Sequence, residues 1–388
     1  MDNKQQIDVL IVGSGPAGTS TALHLLDQDP SWAERMLIVD KAIHPREKLC
    51  GGGITHLGEN VLADLGLAIK PSNFAVREVR LVYDQEQYSF YGDPVFRIVH
   101  RAEFDHWLVQ EVEKRGGRVA QGVTVTDVIE RDGFVEVITD QGTYEAKVLV
   151  AADGSRSLVR RKLGWNDGTH VARLIEVLTP DNKETAWEMR DEVAVFEFTQ
   201  LHSDDLQGYY WDFPSIVNGE LQMNRGVFDS RTHTDLPKAN LKKVLGDALE
   251  ERDKNLGDFK IKGHPIRWMD LRGRFSQPHI LLVGDAAGAD PLMGEGIGMA
   301  LAYGRVAGKA IKTAFQQRDF RFNTYKRQVM WDPVLLTVWV RVLLAGLSYR
   351  VKSPALVRWG WRFVGWVLRW TPWSRPDYVP VRPIRKTS

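Results

Sequence analysis

The sequence of 388 residues predicts an α/β protein with two lobes and a helical C-terminal tail. Short continuous apolar runs at residues 7–12 and 147–151 are typical of buried parallel strands. Alternating apolar and polar residues at 77–99 and 190–228 predict antiparallel strands of a second lobe. Because a chain of this length exceeds the size at which one hydrophobic core keeps growing, two lobes are expected.

Turn residues divide the predicted strands. The pairs at 132–133 (Asp-Gly) and 218–219 (Asn-Gly) predict tight hairpins, and Asp84 and Asp93 predict turns within the stretch 77–99. Residues 118–128 are expected to form one strand before the first hairpin. The second lobe is therefore predicted to be largely antiparallel.

The N-terminal segment has the dinucleotide-binding fingerprint. The first strand runs into residues 13–18 (GSGPAG), a helix follows, and the next strand ends at Asp40. Glycines permit the tight turn, close backbone approach to a pyrophosphate and close helix packing, while Asp40 can accept from a ribose hydroxyl. These features predict a Rossmann-type unit. Its expected cofactor-binding residues are Gly13, Gly15, Pro16, Ala17, Gly18 and Asp40.

Two later motifs stand where a single FAD needs them. Residues 152–157 (ADGSRS) follow a strand end, and residues 283–288 (VGDAAG) end the strand at 279–283. Asp285 suits a ribitol or ribose hydroxyl, and the turn at 294–298 offers free N–H groups to negative charge on a reduced flavin. The other residues predicted to contact FAD are Lys41, Cys50, Gly51, Gly52, Arg101, Val125, Asp153, Gly154, Gly284, Asp285, Gly294, Gly296 and Ile297.

Arg101 stands directly before a predicted helix. It either reaches the pyrophosphate or is an ordinary solvated arginine, and the sequence favours neither.

An aromatic stripe follows from strand periodicity at 208–214 (GYYWDFP). Tyr209, Trp211 and Phe213 share one face, while Tyr210 and Asp212 share the other. The first face either lines an apolar cavity over the flavin or packs in the core of the second lobe. In the first case these three side chains bind substrate.

The stretch at 48–53 (KLCGGG) holds the only cysteine of the chain, so an internal disulfide is impossible. Cys50 is either a buried, inert side chain or a proton donor beside the flavin. The glycines allow close backbone contact, so Gly52 is also predicted to contact substrate. Lys48 and Arg46 either stabilise a thiolate, bind a diphosphate or are solvated.

These motifs resemble a known group of FAD-dependent enzymes. GSGPAG, ADGSRS and GDAAGADPLMGEGIG, in this order, are similar to the p-hydroxybenzoate hydroxylase-like superfamily. YxWxFP, the CGG loop and GEGI resemble the geranylgeranyl reductase family, whereas flavin halogenases have WxWxIP and aromatic hydroxylases more often have GQG. The resemblance covers residues 7–315. It implies a GR2-like FAD-binding domain with an inserted antiparallel β-sheet substrate domain.

The resemblance also implies a reaction, in which reduced FAD saturates C=C bonds of a polyprenyl, geranylgeranyl-type chain. Protonation of an unactivated alkene needs an acid and aromatic faces that tolerate positive charge. Cys50, Tyr209 and Trp211 are the predicted catalytic residues, with Tyr209 or a water as the alternative acid to Cys50. NAD(P)H or a reduced ferredoxin is expected to supply electrons. A monooxygenase or halogenase, or a non-redox isoprenoid cyclase, remains an alternative.

The domain prediction follows from the same motifs. The FAD-binding domain is expected at 1–75, 100–165 and 275–325, the substrate domain at 76–99 and 166–274, and a helical segment at 326–388.

The tail has an unusual charge and tryptophan content. Residues 331–388 contain ten Lys or Arg and two Asp, for a net charge of +8, and seven of the thirteen tryptophans. Trp359, Phe363, Trp366 and Trp370 have helical spacing, and Arg358, Arg362 and Arg369 form a second stripe. This pattern predicts either an interfacial helix, with arginines on lipid phosphates, or a cap on the core of the protein. Membrane contact is therefore expected within 331–373.

The remaining features exclude other classes. The apolar run at 334–347 is too short for a membrane span. The N-terminus has no signal-peptide pattern, so we expect a cytoplasmic protein with peripheral membrane contact. The sequence has neither a metal-ligand spacing nor a nucleic-acid motif.

Overall fold

The computed structural model describes residues 4–165, 170–351 and 353–385. The predicted start of the main substrate-domain segment at residue 166 lies outside these ranges, as do residues 1–3 and 386–388 of the outer predicted segments. The strands, numbered in chain order, are β1 (Lys4–Val12), β2 (Met36–Asp40), β3 (Gly53–Thr55), β4 (Asn73–Tyr83), β5 (Glu86–Val99), β6 (Val119–Gln121), β7 (Val125–Arg131), β8 (Phe134–Thr139), β9 (Gly142–Ala151), β10 (Val171–Pro180), β11 (Val193–Glu197), β12 (Gly208–Val217), β13 (Glu220–Asp229), β14 (Lys262–Arg267), β15 (Ser276–Gln277) and β16 (Ile280–Leu282).

The helices connect these strands and form the C-terminal region. They are α1 (Pro16–Gln28), α2 (Trp32–Arg35), α3 (His56–Asp64), α4 (Arg101–Lys114), α5 (Leu158–Lys162), α6 (Trp187–Arg190), α7 (Gln200–Ser203), α8 (Leu241–Glu250), α9 (Ile297–Gln317), α10 (Tyr325–Trp331), α11 (Leu335–Ser348) and α12 (Pro354–Arg369). Short 3₁₀ helices occur at Leu256–Asp258, Gly284–Ala286 and Pro372–Ser374.

The first sheet carries the nucleotide-binding fingerprint. Its strand order is β15-β16-β9-β1-β2-β6, with β8 also pairing with β9 and β7 pairing with β8. The buried residues 9–12 of β1 lie parallel to 36–39 of β2 and 148–151 of β9. All three strands end at the same edge, where an open α/β sheet binds its ligand.

Helices α1 and α9 cover one another beside this sheet. Ser20 Oγ of α1 donates to the Leu301 carbonyl of α9 at 2.7 Å. A Cβ at Gly304 would lie 2.5 Å from Ser20 Cβ, so the two helices touch at backbone distance. Both helices begin at predicted FAD motifs, so their packing fixes the two motifs relative to each other.

The second sheet has the order β14-β10-β13-β12-β11-β4-β5-β3. Its pairs are antiparallel except for β11 with β4, which are parallel because the chain crosses between them. Strand β3, in the part that we assign to the FAD-binding domain from sequence, pairs with β5 of this sheet. The CGG loop therefore leads directly into the substrate lobe.

The turn predictions have different outcomes. The hairpins at Gly133 and at Asn218-Gly219 form as predicted, with φ of 81°, 52° and 83°. The turn expected at Asp93 is wrong, because β5 continues through it and its N–H donates to the Tyr378 carbonyl at 2.8 Å. The single strand expected at 118–128 is divided between β6 and β7.

The C-terminal region is helical, as predicted. In the described part of the chain, no single helix is long and apolar enough to cross a membrane. Helices α10 and α11 together reach that length and composition, but they are bent by 79° at the break between them.

Candidate active site

One cavity of about 780 Å³ is lined by residues of both sheets and of all three FAD motifs. The predicted site residues that line it are Gly13, Gly15, Pro16, Ala17, Asp40, Lys41, Cys50, Gly51, Gly52, Arg101, Val125, Asp153, Gly154, Tyr209, Trp211, Phe213, Gly284, Asp285, Gly294, Gly296 and Ile297. Gly18 is not among the residues that line it. The structure thus brings together stretches that are far apart in sequence, although their individual roles remain predictions.

Backbone crowding explains the first glycine motif. Gly13 has φ of 109°, and a Cβ there would lie 2.4 Å from the Ala152 carbonyl oxygen. At Gly18 a Cβ would lie 1.9 Å from the Gly13 carbonyl oxygen. Gly18 therefore lets α1 pack against the turn, while Gly13 brings the first motif against the second.

Asp40 lies at the end of β2, facing this turn. Its Oδ2 accepts from the N–H and the hydroxyl of Ser14, both at 2.7 Å, and its Oδ1 accepts from the Ala42 N–H at 2.8 Å. Burial opposes ionisation, but these hydrogen bonds outweigh it and hold the pKa of Asp40 below its usual value. An ionised carboxylate has lone pairs for further donors, as a ribose hydroxyl requires.

The second and third motifs meet across the cavity. Ser155 Oγ donates to Asp285 Oδ2 at 2.9 Å, and Gly284 (φ 58°) brings this turn against Ala17. Asp153 Oδ2 accepts from the Val159 N–H, whereas its buried Oδ1 has no hydrogen-bond partner among the described residues. Burial raises the pKa of Asp153. A ligand donor at this oxygen would satisfy it.

The third motif ends at the N-terminus of α9. Gly294 has φ of 67°. A Cβ at this position would lie 3.2 Å from the ring of Phe228. Gly296 precedes the helix and no side chain caps it. The unpaired N–H groups of such a terminus attract negative charge, as the sequence predicts for a flavin edge.

Arg341 is a site residue that sequence reasoning missed. It lies inside the apolar run at 334–347, where the sequence indicates no functional role, but α11 brings it into the cavity wall. Its Nη1 donates to Asp290 Oδ2 at 2.8 Å and to Glu295 Oε2 at 2.7 Å. A lone arginine in an apolar helix could have indicated a distant buried carboxylate partner. The pKa of Arg341 is raised, because these two carboxylates outweigh the effect of its burial.

Arg101 is buried rather than solvated. Its Nε and Nη2 donate to the two carboxylate oxygens of Asp105 at 2.8 and 2.7 Å, and Arg46 Nη2 donates to the same carboxylate at 3.0 Å. Although burial acts the other way, Asp105 and the neighbouring Cys50 raise the pKa of Arg101. A fixed cation therefore lies at the cavity wall beside the only thiol.

The Cys50 loop is held by hydrogen bonds from both sides. Gly52 N–H donates to Cys50 Sγ at 3.4 Å, and the Cys50 N–H donates to Glu176 Oε1 at 3.3 Å. Asn224 Nδ2 donates to the Cys50 carbonyl at 3.3 Å, while Asn224 Oδ1 accepts from Trp211 Nε1 at 2.8 Å. Asn224 thus joins the CGG loop to the YxWxFP strand, which the sequence did not predict.

Glu176, on β10, is a second unpredicted residue beneath this loop. It is only 5% exposed, and its Oε2 has no partner among the described residues. Burial raises its pKa to about 7, against the lowering effect of the Cys50 N–H and Asn224. A single glutamate in a strand gives no sequence signal for such a position.

Lys48 lies next to His264 of β14. Its Nζ lies 2.5 Å from His264 Nε2, and burial lowers the pKa of both groups, that of His264 to about 4. Arg46 is likewise bound to Asp105. The structure therefore places neither residue as a solvated side chain.

The aromatic stripe both packs in a core and lines the cavity, while its role in binding substrate stays a prediction. Tyr209, Trp211 and Phe213 are at most 6% exposed and pack in the core of the second lobe, yet all three line the cavity. The Tyr209 and Trp211 ring centroids are 6.2 Å apart, and those of Trp211 and Phe213 are 6.0 Å apart. A Cβ at Gly51 would lie 3.2 Å from Phe213, so this glycine lets the loop approach the stripe.

The opposite face of β12 is used for structure. Tyr210 packs among residues of α8, and Asp212 binds Arg225 and Arg252. Among the described residues, no group of His, Cys, Asp and Glu could hold a metal ion.

The glycine turns, Asp40, Asp285 and the α9 terminus fit one FAD, and comparisons with known proteins agree. A model of the FAD binding domain family (FAD_binding_3) matches residues 6–304. A menaquinone reductase of Mycolicibacterium smegmatis is 30% identical over 335 residues, which cover 77% of this chain and 75% of that protein.

Solved structures share the fold. A geranylgeranyl bacteriochlorophyll reductase-like protein from Thermoplasma acidophilum matches with a TM-score of 0.73 at 21% identity, covering 92% of this chain and 91% of that one. A mutant of the halogenase PltM, in complex with FAD, matches with a TM-score of 0.71 at 16% identity, covering 93% and 79%.

The fold and the site define an FAD-dependent oxidoreductase. The chain belongs to the FAD binding domain family, within the p-hydroxybenzoate hydroxylase-like superfamily. The fold class, the superfamily and the FAD cofactor predicted from sequence are confirmed.

Proposed function

We propose that this protein is a reductase that saturates C=C double bonds of a polyprenyl, geranylgeranyl-type substrate. The observation that carries the proposal is the aromatic wall of Tyr209, Trp211 and Phe213, which faces the Cys50 loop inside the cavity that the FAD motifs line. An extended isoprenoid chain is apolar and narrow, so it suits such a cavity. The wall also tolerates the positive charge that develops when an alkene is protonated.

The names of similar proteins support the same reaction class. One relative is named as a menaquinone reductase, and one structural neighbour is described as geranylgeranyl bacteriochlorophyll reductase-like. We therefore take a prenylated lipid as the substrate class, with a quinone as the first head group to test.

The residues at the site divide the proposed chemistry. Reduced FAD, when bound, would supply a hydride for the double bond. The Cys50 thiol gives its proton to the alkene carbon that does not receive the hydride, so that each bond gains two hydrogens. The thiolate that remains is stabilised by the Gly52 N–H and the neighbouring Arg101, and it recovers a proton from solvent.

The structure favours Cys50 over Tyr209 as the acid. The Tyr209 hydroxyl already donates to the Met293 carbonyl at 2.5 Å, and burial raises its pKa well above the usual value. Its proton is thus directed into the protein. Trp211 holds the Cys50 loop through Asn224 and presents an aromatic face to the prenyl chain of the proposed substrate.

Electrons must enter from outside the chain. As proposed partners, NAD(P)H or a reduced ferredoxin would restore the cofactor after each turnover. The test below uses a chemical reductant, so its result does not depend on which of them acts.

The direct test is anaerobic turnover of the FAD-loaded protein with dithionite and a prenylated substrate, followed by mass spectrometry. Geranylgeranyl diphosphate and a prenylated menaquinone are the substrates to compare. A mass increase of two hydrogens per bond supports the proposal. An unchanged mass with a new ring, or a hydroxylated or halogenated product formed only with oxygen, identifies a cyclase or an oxygenating enzyme instead.

Two variants assign the acid. Cys50→Ala should lower kcat by about 100-fold or more, because general acid catalysis contributes at least that much. Tyr209→Phe keeps the ring and should lower kcat by less than about tenfold. A larger loss in Tyr209→Phe than in Cys50→Ala would make Tyr209 the donor. Flavin content, measured by absorbance, must be equal in both variants.

A further inference from the structure

Helix α12 presents two different faces. On the inner face Trp361 stacks on Tyr83, with ring centroids 6.0 Å apart, and contacts Phe198 at 5.0 Å. Gly365 lies against Tyr88 so closely that a Cβ would be 2.0 Å from its ring. This face is fixed on the β4–β5 hairpin, as the core-packing alternative predicts.

The arginine stripe is divided by this packing. The sequence predicts that Arg358, Arg362 and Arg369 bind lipid phosphates if α12 is an interfacial helix. In the structure Arg358 pairs with Asp84 at 3.4 Å and Arg362 with Glu86 at 2.8 Å. These two ion pairs join the helix to the hairpin, and binding to lipid stays a prediction.

The outer face is an apolar stripe in solvent. Its members recur every three or four residues, which places them on one side of the helix. They are, with their exposed fractions, Leu356 (61%), Trp359 (69%), Phe363 (53%), Trp366 (56%) and Trp370 (79%). We call this set the outer stripe of α12. Exposed apolar area of this extent marks an interaction surface.

Cations stand at both ends of the outer stripe. Arg350 precedes α12, Arg369 is its last residue and Arg375 follows the next short helix. All three are exposed, and none has a carboxylate within ion-pair distance among the residues that the structure describes. The stripe therefore has an apolar middle and positively charged ends.

We propose that the outer stripe of α12 docks on the surface of an anionic lipid bilayer. Tryptophan is enriched at the boundary between headgroups and acyl chains, and each nearby arginine is attracted to anionic lipid. A second copy of this chain fits less well. In a two-fold symmetric pair the basic ends would face basic ends, whichever way the two helices align.

The cavity is connected to this surface through Trp373. It lies in the short helix directly after α12, lines the cavity and contacts His56 and Phe90, with centroids 4.9 and 6.2 Å apart. This part of the inference rests on the proposed function. If the substrate is a prenyl chain, it would enter the cavity beside Trp373, on the side of the molecule that contacts the lipid.

The test measures flotation of the full-length holoenzyme with phosphatidylcholine vesicles, with and without phosphatidylglycerol. The wild type should float with the anionic vesicles. A variant with Trp359, Phe363, Trp366 and Trp370 all changed to Gln should remain in the soluble fraction. Ile43→Gln removes an apolar side chain that is 71% exposed elsewhere, and it should float like the wild type. Flavin absorbance and thermal melting verify that each variant is folded.

A second variant tests the charges separately. Arg369→Gln with Arg375→Gln should weaken binding to anionic vesicles by roughly 10- to 30-fold, since each nearby cation contributes about 1 kcal/mol. Arg362→Gln is its matched control, because Arg362 is already paired with Glu86, and it should change binding by less than about twofold.

Several results would overturn the proposal. If the wild type does not float, or if the variant with all four substitutions floats as well as the wild type, the outer stripe does not bind a lipid surface. If the wild type forms a concentration-dependent dimer and does not bind vesicles, and if the variant with all four substitutions is a monomer, the outer stripe binds a second copy of this chain. Turnover of geranylgeranyl diphosphate without vesicles is measured on the same samples. Vesicle binding with no reduction of any substrate therefore refutes the proposed function only, and reduction without vesicle binding refutes the docking only.

Discussion

The two halves of the cavity are built by different means. In the nucleotide half the backbone is decisive, with Gly13, Gly18 and Gly284 at positions where a Cβ would lie 1.9 to 2.7 Å from another residue. In the aromatic half side chains are decisive, because Trp211, Asn224 and Glu176 hold the Cys50 loop through hydrogen bonds. We therefore expect substitutions to be all-or-none in the first half and graded in the second.

The largest effect is expected from Gly18→Ala in the nucleotide half. The new Cβ would overlap the Gly13 carbonyl at 1.9 Å, so α1 cannot keep its place on the turn. We predict purified protein without flavin, if any folds, as measured by visible absorbance and circular dichroism.

Gly246→Ala in α8 is the matched control. Its Cβ would have 3.7 Å to the nearest atom, and a helix gains up to about 1 kcal/mol from this change. Full flavin content in Gly18→Ala would show that the nucleotide half tolerates a Cβ better than the distances indicate.

The next effect concerns pH and the aromatic half. The pKa of Glu176 is about 7 in the folded protein, above its unfolded value near 4.5. A raised carboxyl pKa stabilises the fold fully below the unfolded value, and this contribution is lost as pH rises through 7. A difference of this size corresponds to about 3 kcal/mol.

Glu176→Gln should remove this dependence. Urea unfolding at several values between about pH 5 and pH 8 gives the free energy of unfolding of both proteins. The difference between variant and wild type at each pH isolates the contribution of Glu176, because the other titrating groups cancel. Glu184→Gln, at an exposed position, should follow the wild-type curve. Parallel curves for Glu176→Gln and wild type would contradict a buried carboxyl at this site.

A smaller effect is expected for Trp211→Phe. It removes the N–H that donates to Asn224 and leaves a buried acceptor unpaired, at a cost of about 1–3 kcal/mol in the free energy of unfolding. Flavin content should stay near that of the wild type, while kcat falls because the Cys50 loop loosens.

Phe213→Leu changes the same wall without breaking a hydrogen bond and should cost less than about 1.5 kcal/mol. An equal loss of stability and of kcat in both variants would show that the wall acts by volume rather than through Asn224.

The nucleotide half could be predicted from the sequence because its signals are local. Glycine spacing, strand ends and an acidic residue at a fixed distance place Gly13, Asp40 and Asp285 with no knowledge of the rest of the chain. The period of two in β12 likewise predicts which of its side chains face the cavity. The hairpins at Asp132-Gly133 and Asn218-Gly219 follow from turn chemistry in the same way.

The remaining features depend on long-range pairing. Glu176 and Asn224 reach the Cys50 loop only because β10 and β13 are neighbours in the second sheet. Arg341 meets Asp290 and Glu295 across more than forty positions of sequence. Asp93 resembles a turn residue, but its N–H binds the distant Tyr378. Local patterns contain no information about such partners.

The Asn224 amide has a consequence for redesign of the cavity. Since one side chain binds both the Trp211 indole and the Cys50 carbonyl, the shape of the aromatic wall and the position of the thiol depend on each other. Libraries that vary only the aromatic wall would displace the thiol at the same time. Variation of residues 211 and 224 together, with selection for retained hydrogen bonding, is the route by which specificity could change while turnover survives.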